Sequence, residues 1–260
     1  MLERPGCAVH AWLAGPKRGL PLVMLHGAGV DHRTFDPQLD SLGQRYRLAV
    51  PDLRGHGQSR PNTRPFSITE AVDDVLALLD HLGGPVLLLG QSMGGNIAQE
   101  IVFHAPSRVL ALVAVDCACN TLPPSAAQRA LLAVSPALLR LLPQRLLWSS
   151  TETLSKRAGV RRYLSATVRR LSRAELLEIT TATLRALHPE PGYHVPCPLL
   201  IVRGEHDRAG AIRQQAPVWA RRDAAEYAII PDAGHLSNMD NPRVFNQRVL
   251  EFLERVAAPS

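Results

Sequence analysis

An α/β domain with a mostly parallel, twisted sheet, helices on both of its faces and one inserted helical lid is the fold class this sequence predicts. Three observations carry it. Short apolar runs alternate with helix-period segments through residues 1–120, and the alternation resumes over 195–260. Runs such as 20–25 and 85–89 are apolar at successive positions, the pattern of strands buried on both faces. Between the two halves, residues 121–194 hold leucine-rich helical patterns and no convincing strand. At 260 residues, one core domain (1–120 with 195–260) and one lid insertion (121–194) fit the length better than two equal domains.

In chain order, residues 7–14 suit an early edge strand, 15–19 a turn, and 20–25 a buried strand running into His26-Gly27-Ala28-Gly29. Residues 35–42 read as a helix and 46–50 as the next strand. That strand ends in Pro51-Asp52-Leu53-Arg54-Gly55-His56-Gly57-Gln58-Ser59-Arg60-Pro61, a tight turn expected to be knitted by Asp52 and Arg54. Ser67-Ile68-Thr69-Glu70 predicts a capping box, with Ser67 as N-cap and Glu70 reaching back. The helix it opens has Val72, Val75, Leu79 and Leu82 on its inner face and stops at Gly83-Gly84.

Strand 85–89, a sharp turn and a helix over 96–104 follow, then a strand over 109–115 that ends at Asp116. The inserted helices are expected around 126–134, 137–148, 161–171 and 173–187, punctuated by Pro123-Pro124, Pro136, Pro143 and Pro189. Their leucines (Leu131, Leu132, Leu138, Leu139, Leu142, Leu146 and Leu147), with Trp148, are expected mostly as core, some facing the site. Strand 198–202 then delivers Arg203-Gly204-Glu205-His206-Asp207, and strand 226–230 delivers Pro231-Asp232-Ala233-Gly234-His235-Leu236. Asn241-Pro242 supplies an N-cap and a first-position proline for the last helix.

The organising stretch is Gly90-Gln91-Ser92-Met93-Gly94-Gly95. A serine at the apex of a tight strand-to-helix turn is held in a strained conformation and pushed clear of the sheet. Side chains at positions 90 and 94 would collide across such a turn. The backbone N–H of Met93 then points from the helix N-terminus toward a developing oxyanion. That of Ala28, on the glycine-rich loop, is its natural partner. The plain alternative is a glycine-rich turn with a capping serine, and the strand before and helix after favour a nucleophile elbow.

Ser92, Asp207 and His235 each follow a predicted parallel strand, which puts all three on one rim of the sheet. Serine is a poor nucleophile near neutral pH, so an imidazole must take its proton, and a buried carboxylate fixes and stabilises that imidazole. Asp116 competes with Asp207 for the acid, and the turn around Asp207 fits better. Of the other histidines, His56 belongs to a turn, His26 shapes the glycine loop, His206 faces away, and His188 and His194 are expected at the surface.

Composition narrows the function classes. The chain is 46% hydrophobic and 20% charged, as in ordinary globular proteins. No apolar run is long enough to span a bilayer, and residues 1–6 lack a signal-peptide layout, so a cytoplasmic protein is expected. Cys7, Cys117, Cys119 and Cys197 have neither zinc-ligand spacing nor the density of a disulfide scaffold, so neither a metal nor a cofactor is expected. Residues 121–194 hold 11 Lys/Arg against 4 Asp/Glu, so the net charge of +6 resides in the insertion. Arg157, Arg161, Arg162, Arg169, Arg170 and Arg173 could attract an acidic substrate, and a solvated helix face is the favoured reading. Only Tyr163 interleaves them, which argues against nucleic acid as a partner. A homo-oligomer is left open.

The five motifs at 26–29, 52–59, 90–95, 204–207 and 234–235 resemble those of the α/β-hydrolase superfamily and cover nearly the whole chain except the insertion. Within it the sequence is most similar to the single-domain, helical-lid branch of esterases, lactonases, C–C bond hydrolases and cofactor-free haloperoxidases. The resemblance implies Ser92 as nucleophile, Asp207 as acid, His235 as base, and Ala28 and Met93 as oxyanion-hole donors. Serine at the elbow argues against the dehalogenase and epoxide hydrolase reactions, whose enzymes carry aspartate there. Asp240, where the family often has glutamate, is a small departure. A serine hydrolase acting on a hydrophobic small-molecule acyl substrate (an ester, lactone or thioester) is expected. Perhydrolysis, acyl transfer and C–C cleavage by the same residues are the alternatives within enzymes, and a ligand receptor on the same fold is the alternative outside them.

Overall fold

The computed structural model describes residues 1–257, without the side chains at positions 127, 131, 132, 136 and 139. Its strands are β1 (Leu2–Arg4), β2 (Cys7–Val9), β3 (Ala11–Ala14), β4 (Pro21–Leu25), β5 (Arg47–Pro51), β6 (Val86–Gln91), β7 (Val109–Val115), β8 (Leu199–Gly204) and β9 (Glu226–Ile230). The helices are α1 (Asp36–Gly43), α2 (Ile68–Leu82), α3 (Met93–His104), α4 (Ala126–Leu141), α5 (Gln144–Glu152), α6 (Ala158–Val168), α7 (Arg173–Arg185), α8 (Ile212–Arg222), α9 (Ser237–Asp240) and α10 (Pro242–Ala257).

Seven strands form the main sheet in the order β3-β5-β4-β6-β7-β8-β9. All neighbours pair in parallel except the edge strand β3, which runs antiparallel to β5. Continuous apolarity has the expected cause. On β4, Val23 and Leu25 pack on one face with Val75, Leu79, Ile97 and Ile101 of α2 and α3. Leu22 and Met24, on the other face, meet Phe35 and Leu42 near α1 and Phe245 and Val249 of α10. Since β5 lies on one side of β4 and β6 on the other, the chain changes direction across the sheet here. A crevice at the carboxyl ends of β4 and β6 results.

Several sequence expectations are corrected. The strand expected over 7–14 breaks at His10: β2 pairs with β1 in a separate two-stranded sheet, and only β3 joins the main one. Ser67 caps α2 by accepting from the Glu70 N–H at 3.1 Å, but the Glu70 carboxylate turns to Arg54 and Arg64 instead of reaching back. Pro242 does begin α10, whereas the Asn241 side chain donates to the Pro231 carbonyl rather than capping.

Four helices, α4–α7, lie between β7 and β8, as expected in number. The first of them runs on through position 136 and breaks only at Pro143. Leu147 is buried, but Leu138, Leu142 and Leu146 are exposed. The side chains of Leu131, Leu132 and Leu139 are not among those described.

Candidate active site

The turn at Ser92 is tight for identifiable reasons. Ser92 has φ 52° and ψ −120°, a left-handed-side conformation that side chains rarely adopt. Its N–H is held by the Val115 carbonyl at 2.8 Å, and its own carbonyl accepts the Asn96 N–H at 3.1 Å, so strand and helix together impose the strain. A Cβ at Gly90 would overlap the Gly94 carbonyl, and one at Gly94 would overlap that of Leu25. Both glycines are therefore dictated by close backbone approach.

Three strand ends then meet. Ser92 Oγ lies 2.9 Å from His235 Nε2, and His235 Nδ1 lies 3.1 Å from Asp207 Oδ2. Asp207 and His235 are both buried, and the second Asp207 oxygen accepts the Ala209 N–H at 2.8 Å. The imidazole loop is fixed from behind: the His235 carbonyl accepts from Gln91 Nε2 at 2.8 Å and its N–H donates to the Leu154 carbonyl at 2.7 Å. The N–H groups of Ala28 and Met93 find no acceptor among the described residues.

Asp116, the competing acid, is not hydrogen-bonded to the imidazole. Its two oxygens accept the N–H groups of Gly204 (2.7 Å) and Ser237 (2.8 Å), tying the end of β8 to the start of α9. Burial, reinforced by the neighbouring Asp207 charge, pushes its carboxyl up to about 7. Burial disfavours the charged imidazole of His235, but Asp207 beside it outweighs this and raises its pKa above the ordinary histidine value, with help from Asp116.

The other histidines divide by burial. His26 Nε2 accepts the Leu53 N–H at 2.9 Å, and His56 Nε2 accepts the Gly29 N–H at 3.1 Å, so the pair laces the glycine loop to the loop after β5. Burial holds both neutral, His56 down at about 3. In that loop Asp52 and Arg54 do not pair with each other. Asp52 accepts from Gln58 N–H and His32, while Arg54 runs under α2 to Asp74 and Glu70. His194 and His206 are exposed; His188 is half-buried, 2.8 Å from Glu100, and takes no part in the site.

Beside Ser92 lies a cavity of ≈ 220 Å³, walled mainly by Leu147, Leu154, Leu164, Val168, Leu176 and Leu177, in which, among the described residues, His235 is the one titratable lining group. None of the arginines singled out in the insertion lines it. Arg173 lines a separate, open groove of ≈ 1020 Å³ with Arg140 and Arg185. Among the described residues, the cluster spaced to hold a cation is Glu205, His206 and Asp232, which are exposed. Cys117 and Cys119 are buried free thiols in the core beneath α3.

Sequence reasoning missed the roles of Gln91, Leu154 and Asp240 around the base, since each acts through contacts more than a hundred residues away in sequence or through a loop whose path only the fold defines.

In sequence and fold the chain is similar to known hydrolases. The chain is 39% identical over 97 residues to the pimeloyl-[acyl-carrier protein] methyl ester esterase of Nitrosomonas europaea, covering 37% of each protein. Alignments to three curated relatives span 33%, 65% and 37% of their lengths. An esterase from Thermogutta terrifontis superposes over 98% of this chain and 96% of its own, with a TM-score of 0.78 and 25% identity. The enol-lactonase of Burkholderia xenovorans shares the fold, with a TM-score of 0.80 over 96% and 97% of the two chains at 22% identity. The model of the Alpha/beta hydrolase family matches residues 22–248, and this protein belongs to that family.

Proposed function

We propose that this α/β-hydrolase is a serine hydrolase that cleaves an ester or related acyl bond (lactone or thioester) of a hydrophobic small molecule through an acyl-enzyme. The observation that carries the reading is the continuous hydrogen-bonded chain from Ser92 through His235 to Asp207, opening on a mainly apolar cavity.

Ser92 Oγ attacks the carbonyl carbon while His235 Nε2 takes its proton, and Asp207 stabilises the imidazolium. The oxyanion is received by the N–H groups of Ala28 and Met93. His235 then protonates the leaving group. A water that gives its proton to the same nitrogen attacks the acyl carbonyl, and the bond from Ser92 Oγ to the acyl carbon then breaks as His235 returns that proton to Ser92, releasing the acid. In this reading residues 121–194 act as a lid, supplying Leu147, Leu154, Leu164, Val168, Leu176 and Leu177 to the acyl cavity.

A chain-length series of p-nitrophenyl esters, run with a fluorophosphonate probe on the wild type and Ser92→Ala, tests the proposal. Probe labelling and hydrolysis are expected to vanish together in Ser92→Ala, with kcat lower by at least about 10³. Labelling that persists in the variant, or a wild type that neither labels nor hydrolyses, goes against it.

A further inference from the structure

Asp240 ends the short helix α9 and is fully buried. One of its carboxylate oxygens accepts the N–H of Gly234 at 2.8 Å, immediately before the base, and the N–H of Lys156 at 3.1 Å. The other accepts the Ser155 hydroxyl at 2.5 Å and the Arg157 N–H at 3.4 Å. Its backbone carbonyl takes Arg157 Nε–H at 2.8 Å. Among the described residues no lysine or arginine side chain bonds the carboxylate itself, so its buried charge is met by backbone N–H groups and one hydroxyl. Such an arrangement fixes positions more than it adds stability.

The donors it gathers belong to two parts of the fold. Gly234 is on the loop that carries His235, and Ser155, Lys156 and Arg157 form the turn between α5 and α6 of the insertion. The preceding residue of that turn, Leu154, accepts the His235 N–H directly, and its carbonyl sits where a side chain at Gly234 would have to go. Farther along the same segment, Tyr163 on α6 places its hydroxyl 3.0 Å from Asp31 Oδ1 and 3.0 Å from Thr34 Oγ1, just beyond the Gly27–Gly29 loop. The α5–α6 segment is thus bolted to the backbone on both sides of Ser92.

We propose that Asp240 is a positioning residue for His235: its carboxylate fastens the α5–α6 turn to the loop that holds the base, so that the inserted segment sets the distance from His235 to Ser92. This rests on the reading of Ser92 as nucleophile and His235 as base. Asp240→Asn keeps the size but replaces an accepting oxygen with an NH₂ that faces N–H donors. One arm of the clamp is then lost and the loop is free to shift.

The test measures fluorophosphonate labelling and p-nitrophenyl butyrate kinetics for the full chain, its Asp240→Asn variant and Ser155→Ala, which removes only the insertion's hydroxyl. Folded protein is quantified by circular dichroism at the assay temperature. Asp240→Asn is expected to lower the labelling rate and kcat per folded molecule by about 10-fold or more, with KM within about 3-fold. Ser155→Ala shifts the same two rates in the same direction by about 3-fold. Wild-type rates per folded Asp240→Asn molecule, or a rise in KM with kcat unchanged, would overturn the inference while leaving the serine-hydrolase reading intact. A wild type that the probe does not label overturns that reading and the inference with it.

Discussion

A serine hydroxyl 2.9 Å from an imidazole accepts activation only while that imidazole is neutral, so the electrostatics around His235 set a pH limit. Burial resists its charging, but Asp207, and Asp116 behind it, raise its pKa above 6.5. The acid limb of kcat/KM is therefore expected above pH 6.5. A rate profile of the wild type between about pH 5 and 9 checks the sign, and a limb below pH 6.5 contradicts it.

His56 works in the opposite sense. It is neutral in the fold, with its pKa depressed to about 3. Its contribution is present above the unfolded value of about 6.5 and lost as pH falls toward 3. His56→Ala is expected to cost about 2 kcal/mol at neutral pH, and the gap to wild type to shrink by pH 4. Denaturant melts of both proteins at the two pH values measure this, and a constant gap argues against it.

At the level of elements, the loop after β5 shows how a buried charge can join two segments. Arg54 is almost fully buried, 2.7 and 2.8 Å from the two oxygens of buried Asp74 on α2, and it also meets Glu70. Removing it leaves Asp74 with only Arg4, which binds it from the surface at 3.0 Å. Arg54→Ala is expected to destabilise by about 3 kcal/mol, whereas Arg248→Ala, an exposed pair on α10, changes stability by less than about 0.5 kcal/mol. Equal losses in urea unfolding would refute the distinction. The misread capping box has the same origin: Glu70 has a stronger partner in Arg54 than in the N-cap backbone.

For the whole molecule, the cavity beside Ser92 and the charge of the insertion are separate features. The cavity walls are mainly apolar, with Ser150, Thr151 and Thr180 as neutral polar groups, and among the described residues no carboxylate, lysine or arginine lines the cavity. Several insertion arginines instead serve the fold: Arg157 binds the Asp240 carbonyl, Arg161 binds the Lys156 carbonyl, and Arg169 pairs with Glu152. KM for uncharged esters is accordingly expected to stay flat between about 0.05 and 0.5 M salt, and butyrate or hexanoate esters to be preferred over acetate. A steep salt dependence, or acetate as the best substrate, contradicts this assignment of the cavity.

Much of this was legible in the residues because its causes are local. Continuous apolar runs can satisfy two faces only inside a covered parallel sheet, and Gly90-x-Ser92-x-Gly94 has a steric reason that the backbone bears out at both glycines. The rim location of Ser92, Asp207 and His235 followed from strand ends alone. Other features were set by partners distant in sequence: the break of 7–14 at His10, the turning of Glu70 to Arg54, the exposure of Leu138 and Leu146, and the seating of Asp240 against 155–157. Periodicity marks which residues share a helix face but not whether another element covers that face. A carboxylate's partner depends on which donors the fold brings within reach. Local patterns were enough for the parallel strands β4 to β9, the sharp turn at Ser92 and the rim that holds the three residues. Which acid meets the imidazole, and how the inserted helices grip the loop behind it, came from the fold, because those outcomes depend on distances between segments that no local pattern encodes.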